Sequence, residues 1–138
     1  MATLDALLDD VISRYRIDEK RIYVTGLSMG GSGAWHLATA YPERFAAIAP
    51  IGGGGIPEKA ASIAHLPIWV FYGELDTPTR IERIDAIVDA LREVGSRIKV
   101  TSYPDRRHDA WSVTYDGSRL YEWFLEHTRS DPPPAEGR

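Results

Sequence analysis

The chain of 138 residues contains no cysteine. This absence excludes disulfide bonds, metal sites built on thiolates and a cysteine nucleophile. The four histidines show no H-E-x-x-H spacing, so we expect no bound metal. No G-x-G-x-x-G fingerprint follows the first predicted strand, which argues against a nucleotide cofactor. We therefore expect a protein that works without any cofactor.

Long apolar runs and dense basic runs are missing as well. No stretch approaches the ~20 apolar residues needed to span a bilayer, so we expect no membrane partner. The net charge is −4, and the basic pair Arg106-Arg107 is too short to form a phosphate-binding stripe. We therefore expect no nucleic-acid partner. The first residues lack the basic and apolar regions of a secretory signal, and we expect a cytoplasmic location.

The composition is that of an ordinary globular domain, with 43% hydrophobic and 26% charged residues. We assign residues 1–129 to one domain. The proline-rich residues 130–138 are expected to form a disordered tail.

Apolar periodicity predicts helices alternating with strands. The predicted helices cover about 3–16, 29–41, 57–64, 79–94 and 120–127, and the predicted strands cover 21–25, 45–51, 68–72 and 97–103. Such alternation is typical of parallel strands joined by right-handed crossovers. The predicted fold class is therefore α/β, with about four parallel strands flanked by helices.

The pentapeptide Gly26-Leu27-Ser28-Met29-Gly30 stands where the first strand ends and a helix begins. A G-x-S-x-G sequence in this setting forces the serine into a strained conformation that raises its hydroxyl above the sheet. Larger side chains at positions 26 and 30 would collide, so both are expected to need glycine. We predict Ser28 as a nucleophile and the backbone N–H of Met29 as an oxyanion donor.

A serine nucleophile needs a base, and the base needs an orienting acid. His108 follows the fourth predicted strand and Asp76 follows the third, so both belong to the same edge of the sheet as Ser28. We predict His108 as the general base and Asp76 as the acid, with Glu74 as the rival for the acid. Trp111, three residues after the base, is predicted to contact substrate, whereas Trp35 and Trp69 are expected in the core.

Three segments carry a family resemblance: Gly-Leu-Ser-Met-Gly-Gly at 26–31, Gly-x-x-Asp at 73–76 and His-Asp-Ala-Trp at 108–111. They resemble the α/β-hydrolase superfamily, and within it the small carboxylesterases, feruloyl esterases and polyhydroxybutyrate depolymerases. The resemblance covers only the C-terminal half of that fold. It implies a reduced sandwich without the N-terminal strands or a cap domain, and the same roles for Ser28, Asp76, His108 and Met29.

The missing half has two expected consequences. The loop that gives the second oxyanion N–H in this superfamily has no counterpart, and either the loop 52–56 or a neighbouring subunit is left as its replacement. The strand 21–25 would also be a bare edge, which favours pairing with another chain. We therefore expect a homo-oligomer that covers this strand.

The function predicted from these residues is a serine carboxylesterase acting on small, short-acyl or aryl esters through an acyl-enzyme on Ser28. Two alternatives stay open at this point. One is a non-catalytic truncated hydrolase that acts as a subunit or binding module, and the other is a serine peptidase of related fold.

Overall fold

The computed structural model describes residues 1–130. The elements follow in the order α1 (Ala2–Arg14), β1 (Tyr23–Leu27), α2 (Met29–Ala40), β2 (Ala47–Ile51), a 3₁₀ helix (Pro57–Ile63), β3 (Trp69–Gly73), α3 (Pro78–Glu93), β4 (Lys99–Tyr103), α4 (Ala110–Asp116) and α5 (Arg119–Leu125). Apart from Ser130, the predicted tail lies outside the described residues. The assignment of 1–129 to one domain stays a prediction.

All four strands are parallel and lie in the order β1-β2-β3-β4. Spatial order equals chain order because each strand is followed by a crossover that returns the chain to the next position in the sheet. The predicted α/β fold with four parallel strands is confirmed. The carboxyl ends of all four strands therefore lie on the same side of the sheet, called the catalytic edge below, and the loops that follow the strands meet there.

Apolar residues cover both faces of the sheet. One face packs against α2, α3 and the 3₁₀ helix around the fully buried Trp35 and Ile48. The other face packs against α4 and α5 around Trp69, Phe71 and Leu120. Trp35 and Trp69 are thus core residues, as the sequence predicted.

Several element bounds differ from the sequence prediction by up to two residues, and one helix was not predicted. The first strand runs from Tyr23 to Leu27 and not over 21–25, because the pairing with β2 continues up to the residue before Ser28. Helix α4 was not predicted at all. It has only seven residues, including Thr114, Val113 and Tyr115, and these residue types have low helix propensity.

Strand β1 forms an edge of the sheet within the described part of the chain. The N–H of Ser28 donates to the carbonyl of Ile51 at 2.8 Å, so even-numbered residues along this strand direct their backbone groups toward β2. The odd-numbered residues therefore direct theirs to the free edge: Tyr23, Thr25 and Leu27.

Helix α1 lies beside this edge without burying any of its own residues. An ion-paired contact of Arg44 with Asp5 and Asp9 holds it in place. Between α1 and β1 runs a groove of about 390 Å³, lined mainly by apolar side chains that include Leu4 and Leu7. None of the helices in residues 1–130 is long and apolar enough to cross a membrane.

We expect two copies of the chain to associate through this groove and the free edge of β1. Light scattering at micromolar concentration should then give the mass of two chains. Leu7 is 56% exposed, so Leu7→Lys costs little stability but places a charge in the groove, and it should convert the dimer to monomers. Leu125→Lys, at a site 62% exposed on α5, is the matched control and should stay dimeric. A wild-type chain that is monomeric under these conditions would contradict the expectation.

Candidate active site

The turn between β1 and α2 places Ser28 in an unusual backbone conformation, with φ 55° and ψ −118°. Among residues 1–130 it is the one non-glycine residue with a positive φ. Such a conformation costs on the order of 1–3 kcal/mol and persists only where the surroundings hold it. The hydrogen bond from its N–H to Ile51 and the two that its carbonyl accepts from α2, from the N–H groups of Gly31 and Ser32, supply that support.

The sharpness of this turn requires glycine at position 26. A Cβ added to Gly26 would lie 2.2 Å from the carbonyl oxygen of Gly30, which no side chain can tolerate. At Gly30 the sequence prediction was wrong, since a Cβ there would meet nothing within 4 Å. Only Gly26 therefore has no space for a side chain, because the first turn of α2 passes over β1 at Gly26.

The structure brings together the three side chains predicted as nucleophile, base and acid. Ser28, His108 and Asp76 are called the relay from here on. Ser28 Oγ lies 2.7 Å from His108 Nε2, and His108 Nδ1 lies 2.8 Å from Asp76 Oδ2. An ionised carboxylate only accepts hydrogen bonds, so Nδ1–H donates to Asp76. His108 Nε2 is then the free acceptor for the Ser28 hydroxyl proton.

Asp76 is held as a buried anion, with a side chain that is 1% exposed. Burial alone raises the pKa of this carboxyl. The hydrogen bonds from His108, from the N–H of Thr77 at 2.7 Å and from Arg80 at 3.2 Å outweigh burial, and the pKa lies below its usual range. The carboxylate therefore stays charged at neutral pH and stabilises a protonated imidazole beside it.

The loop that carries His108 is fixed by its contact with the end of β3. The N–H of Leu75 donates to the carbonyl of Arg106 at 2.9 Å, and the N–H of Glu74 donates to that of Tyr103. A Cβ on Gly73 would lie 2.0 Å from the carbonyl oxygen of Arg107, so only glycine lets the two loops approach this closely. This approach brings His108 within reach of Asp76.

Glu74, the rival for the acid, points elsewhere. Its carboxylate accepts a hydrogen bond from Ser102 at 2.7 Å and takes no part in the contacts of His108. Asp109, next to the base, accepts the N–H of Arg107 at 3.1 Å and stabilises the turn before α4. The structure therefore joins Asp76, and neither neighbouring carboxylate, to the base.

A small pocket of about 120 Å³ opens beside Ser28. Its walls come from the glycine loop at Gly52–Gly54 and from Met29, Ser32, Arg80 and Arg83. Neither Arg80 nor Arg83 was predicted from the sequence as part of the site. The available signal was their position four and seven residues after Asp76, on the first two turns of α3, the helix that follows β3.

Met29 and Trp111 form the more open parts of the site. The Met29 side chain is 85% exposed, and its N–H belongs to the first turn of α2, where backbone donors have no acceptor within the helix. Trp111 meets the His108 ring edge-on, with centroids 5.7 Å apart, and both line an open cavity of about 500 Å³. The roles predicted for Met29 and Trp111 stay predictions.

The arrangement can move a proton from a hydroxyl to an imidazole and stabilise the resulting cation. It offers a helix N-terminus to an anion that forms above Ser28. Residues 1–130 contain no group of three metal-ligating side chains close enough to share an ion.

Comparison with known proteins yields a family match over most of the chain. Residues 1–118 match the dienelactone hydrolase family. A Yersinia pestis protein provisionally named carboxymethylenebutenolidase is 30% identical over 145 residues, which cover 90% of this chain and 54% of that protein. A bifunctional acetylxylan esterase/xylanase of Neocallimastix patriciarum is 25% identical over 85% of this chain and 17% of its own length.

Solved structures agree with the sequence matches. The crystal structure of a thermostable esterase superposes with a TM-score of 0.85 at 36% identity, and the match covers 93% of this chain and 36% of that one. The resemblance to the α/β-hydrolase superfamily is confirmed. The chain spans about half the length of the carboxymethylenebutenolidase relatives that it matches.

The sharp turn between β1 and α2, here called the elbow, predicts opposite outcomes for substitutions of Gly26 and Gly30. Gly26→Ala should lower the free energy of unfolding by about 2 kcal/mol or more, because the new methyl group meets backbone atoms that cannot move away. Gly30→Ala should leave stability unchanged or raise it by up to about 1 kcal/mol, as for alanine in an open helical position. Urea unfolding followed by circular dichroism measures both. Equal losses in the two variants would contradict the one-sided constraint.

Proposed function

We propose that this chain, which belongs to the dienelactone hydrolase family, is a serine carboxylesterase that hydrolyses small esters with short acyl or aryl groups. The observation that carries the proposal is the unbroken hydrogen-bond path from Ser28 Oγ through His108 to Asp76, at 2.7 and 2.8 Å. Family membership supports a hydrolase. The serine chemistry and the choice of ester rest on the local geometry.

The first half of the reaction forms an acyl-enzyme. Ser28 Oγ attacks the ester carbonyl carbon while its proton passes to His108 Nε2. The carbonyl oxygen becomes an anion, which the N–H of Met29 stabilises. When the tetrahedral intermediate collapses, the carbon–oxygen bond to the alcohol breaks and His108 returns the proton to the departing alkoxide.

The second half repeats these steps with water. His108 Nε2 takes a proton from water as the water oxygen attacks the acyl carbon. Collapse of this intermediate breaks the bond to Ser28 Oγ, which recovers its proton from His108. Asp76 stays ionised throughout and stabilises the imidazolium that forms in each half.

The oxyanion site favours esters over amides. The Met29 N–H is the donor that the elbow itself supplies, and loss of one oxyanion donor typically costs ~10²–10³ in rate. Amide hydrolysis needs more transition-state stabilisation than ester hydrolysis because an amine is a poorer leaving group. Activated esters are therefore the substrates that this half-length chain is best suited to turn over.

The dimensions of the site support small substrates. The pocket of about 120 Å³ beside Ser28 has room for a short acyl chain, and Gly53 and Arg83 are among the residues that line it. A separate open cavity is lined by His108 and Trp111. An aromatic face there suits a flat aryl group on the alcohol or acyl side of the ester.

Replacement of the nucleophile tests the proposal directly. A fluorophosphonate should label the wild-type chain once, as Ser28 Oγ bonds to phosphorus and fluoride leaves. Ser28→Ala should remove the label and lower p-nitrophenyl acetate turnover at least about 10³-fold, because the acyl acceptor is gone. Intact mass spectrometry and initial rates measure the two effects.

Ser32→Ala is the matched control, since it removes a hydroxyl from the same pocket outside the relay. It should keep the label and most of the activity, and circular dichroism should show that both variants are folded. If the folded wild-type chain takes no label, the alternative of a non-catalytic subunit or binding module is favoured instead.

Substitution of Asp76 and Glu74 in turn tests which of the two carboxylates orients His108. Asp76→Asn should lower kcat by about 10⁴, because an amide at this place favours the wrong imidazole tautomer. Glu74→Gln is the isosteric control at the residue directly after β3, and it should change kcat less than twofold because Glu74 contacts Ser102 and not His108. Steady-state kinetics with p-nitrophenyl acetate give both values. A large loss in Glu74→Gln with activity kept in Asp76→Asn would overturn the assignment.

A further inference from the structure

A cavity lies at the end of the sheet where the strands begin, opposite Ser28. It has a volume of about 520 Å³ and is formed where β3 and β4 begin, with His127 and Trp123 from the end of the chain on one side. The strands are five residues long, so roughly 16 Å separate this cavity from the catalytic edge. None of the relay residues lines it.

Two basic side chains line this cavity, and neither has an anionic partner within residues 1–130. Arg97 and Lys99 make no ion pair with any carboxylate in the described part of the chain, and the cavity walls contain no acidic side chain. Two nearby unpaired cations repel each other, and an anion between them would relieve that repulsion.

One of these cations is held in place. The Lys99 ammonium lies 3.7 Å from the centroid of the Trp69 ring, which is within the range of a cation–π contact. The contact fixes the charge at the mouth of the cavity without neutralising it. The Lys99 side chain therefore loses less conformational entropy when a ligand binds than a freely rotating lysine would.

The opposite wall is aromatic. Trp123 and His127 pack edge-to-face with centroids 4.7 Å apart, and both are half-buried in the cavity wall. The Nε2 atom of His127 is buried without a hydrogen-bond partner, so no polar contact within residues 1–130 satisfies it. The backbone of this residue is anchored through the hydroxyl of Tyr23, which donates to its carbonyl at 2.7 Å.

We propose that this cavity is a second binding site, separate from the catalytic one, for a small aromatic carboxylate. The carboxylate lies between Arg97 and Lys99, where a guanidinium can bind both of its oxygens. The ring packs against Trp123 and His127. A neutral aromatic molecule leaves the cations unpaired, and an anion without a ring leaves the aromatic wall unused, so both halves of the ligand are needed.

Benzoate is the probe, and the experiment is a titration of the ¹⁵N-labelled full chain followed by NMR. Benzoate should change the chemical shifts of the backbone amides of Gly95 and Lys99 and of the Trp123 indole N–H. The indole signal is assigned by its absence from the spectrum of Trp123→Phe. Lys99→Met keeps the stem over Trp69 but removes the charge, and it should weaken benzoate binding at least about fivefold. Lys59→Met, at an exposed lysine of the 3₁₀ helix, should bind as the wild type does.

Benzyl alcohol and acetate test the two halves of the ligand, and each should bind at least about fivefold more weakly than benzoate. Binding of either as tight as that of benzoate would overturn the proposal, as would equal affinities of Lys99→Met and Lys59→Met. Shifts confined to Gly53 and His108 would place benzoate at the catalytic edge and would overturn it as well. None of these readouts depends on esterase activity.

Discussion

The serine site depends on one steric constraint, which is the close passage of the Gly30 carbonyl over Gly26. A Cβ on Gly26 would lie 2.2 Å from that oxygen, so the absence of a side chain is what allows α2 to begin directly after β1. The same turn gives Ser28 its positive φ and points its hydroxyl at His108. Packing of Gly31 against the Ile51 carbonyl then holds the start of α2 on the sheet. The strained conformation of Ser28 is thus maintained by contacts with β2 and not by the surrounding loops.

The electrostatics of the site follow from the burial of Asp76. A carboxylate that is almost fully shielded from water is costly unless several donors satisfy it. Thr77 and Arg80 serve one of its oxygens, which leaves the other for His108. This division of donors fixes the imidazole tautomer, since Nδ1 must carry the proton that Asp76 accepts. Arg80 also lines the pocket beside Ser28, so a residue that supports the Asp76 carboxylate brings positive charge to the pocket in which the proposed mechanism forms an oxyanion.

The sequence was sufficient for those parts of the fold and site that depend on local pattern. Alternating apolar segments predicted the parallel sheet, and the strand ends predicted which loops would carry Ser28, Asp76 and His108. What could not be predicted depends on contacts between distant segments. The choice between Asp76 and Glu74 is one such case, because both follow β3 and only the loop crossing over Gly73 decides which one meets the base. Helix α4 is another, since its packing against the sheet outweighs the low helix propensity of its residues.

The two edges of the sheet differ in how their polar groups are satisfied. At the catalytic edge each charged group of the relay has a partner within the chain, so the site is organised before substrate arrives. At the opposite end of the strands, Arg97 and Lys99 have no anionic partner within residues 1–130. Preorganised partners suit a site that must stabilise charge appearing only in a transition state. Unpaired cations beside an aromatic wall suit a ligand that brings its own charge, and this difference is the reason for proposing a catalytic site at one end of the strands and a binding site at the other.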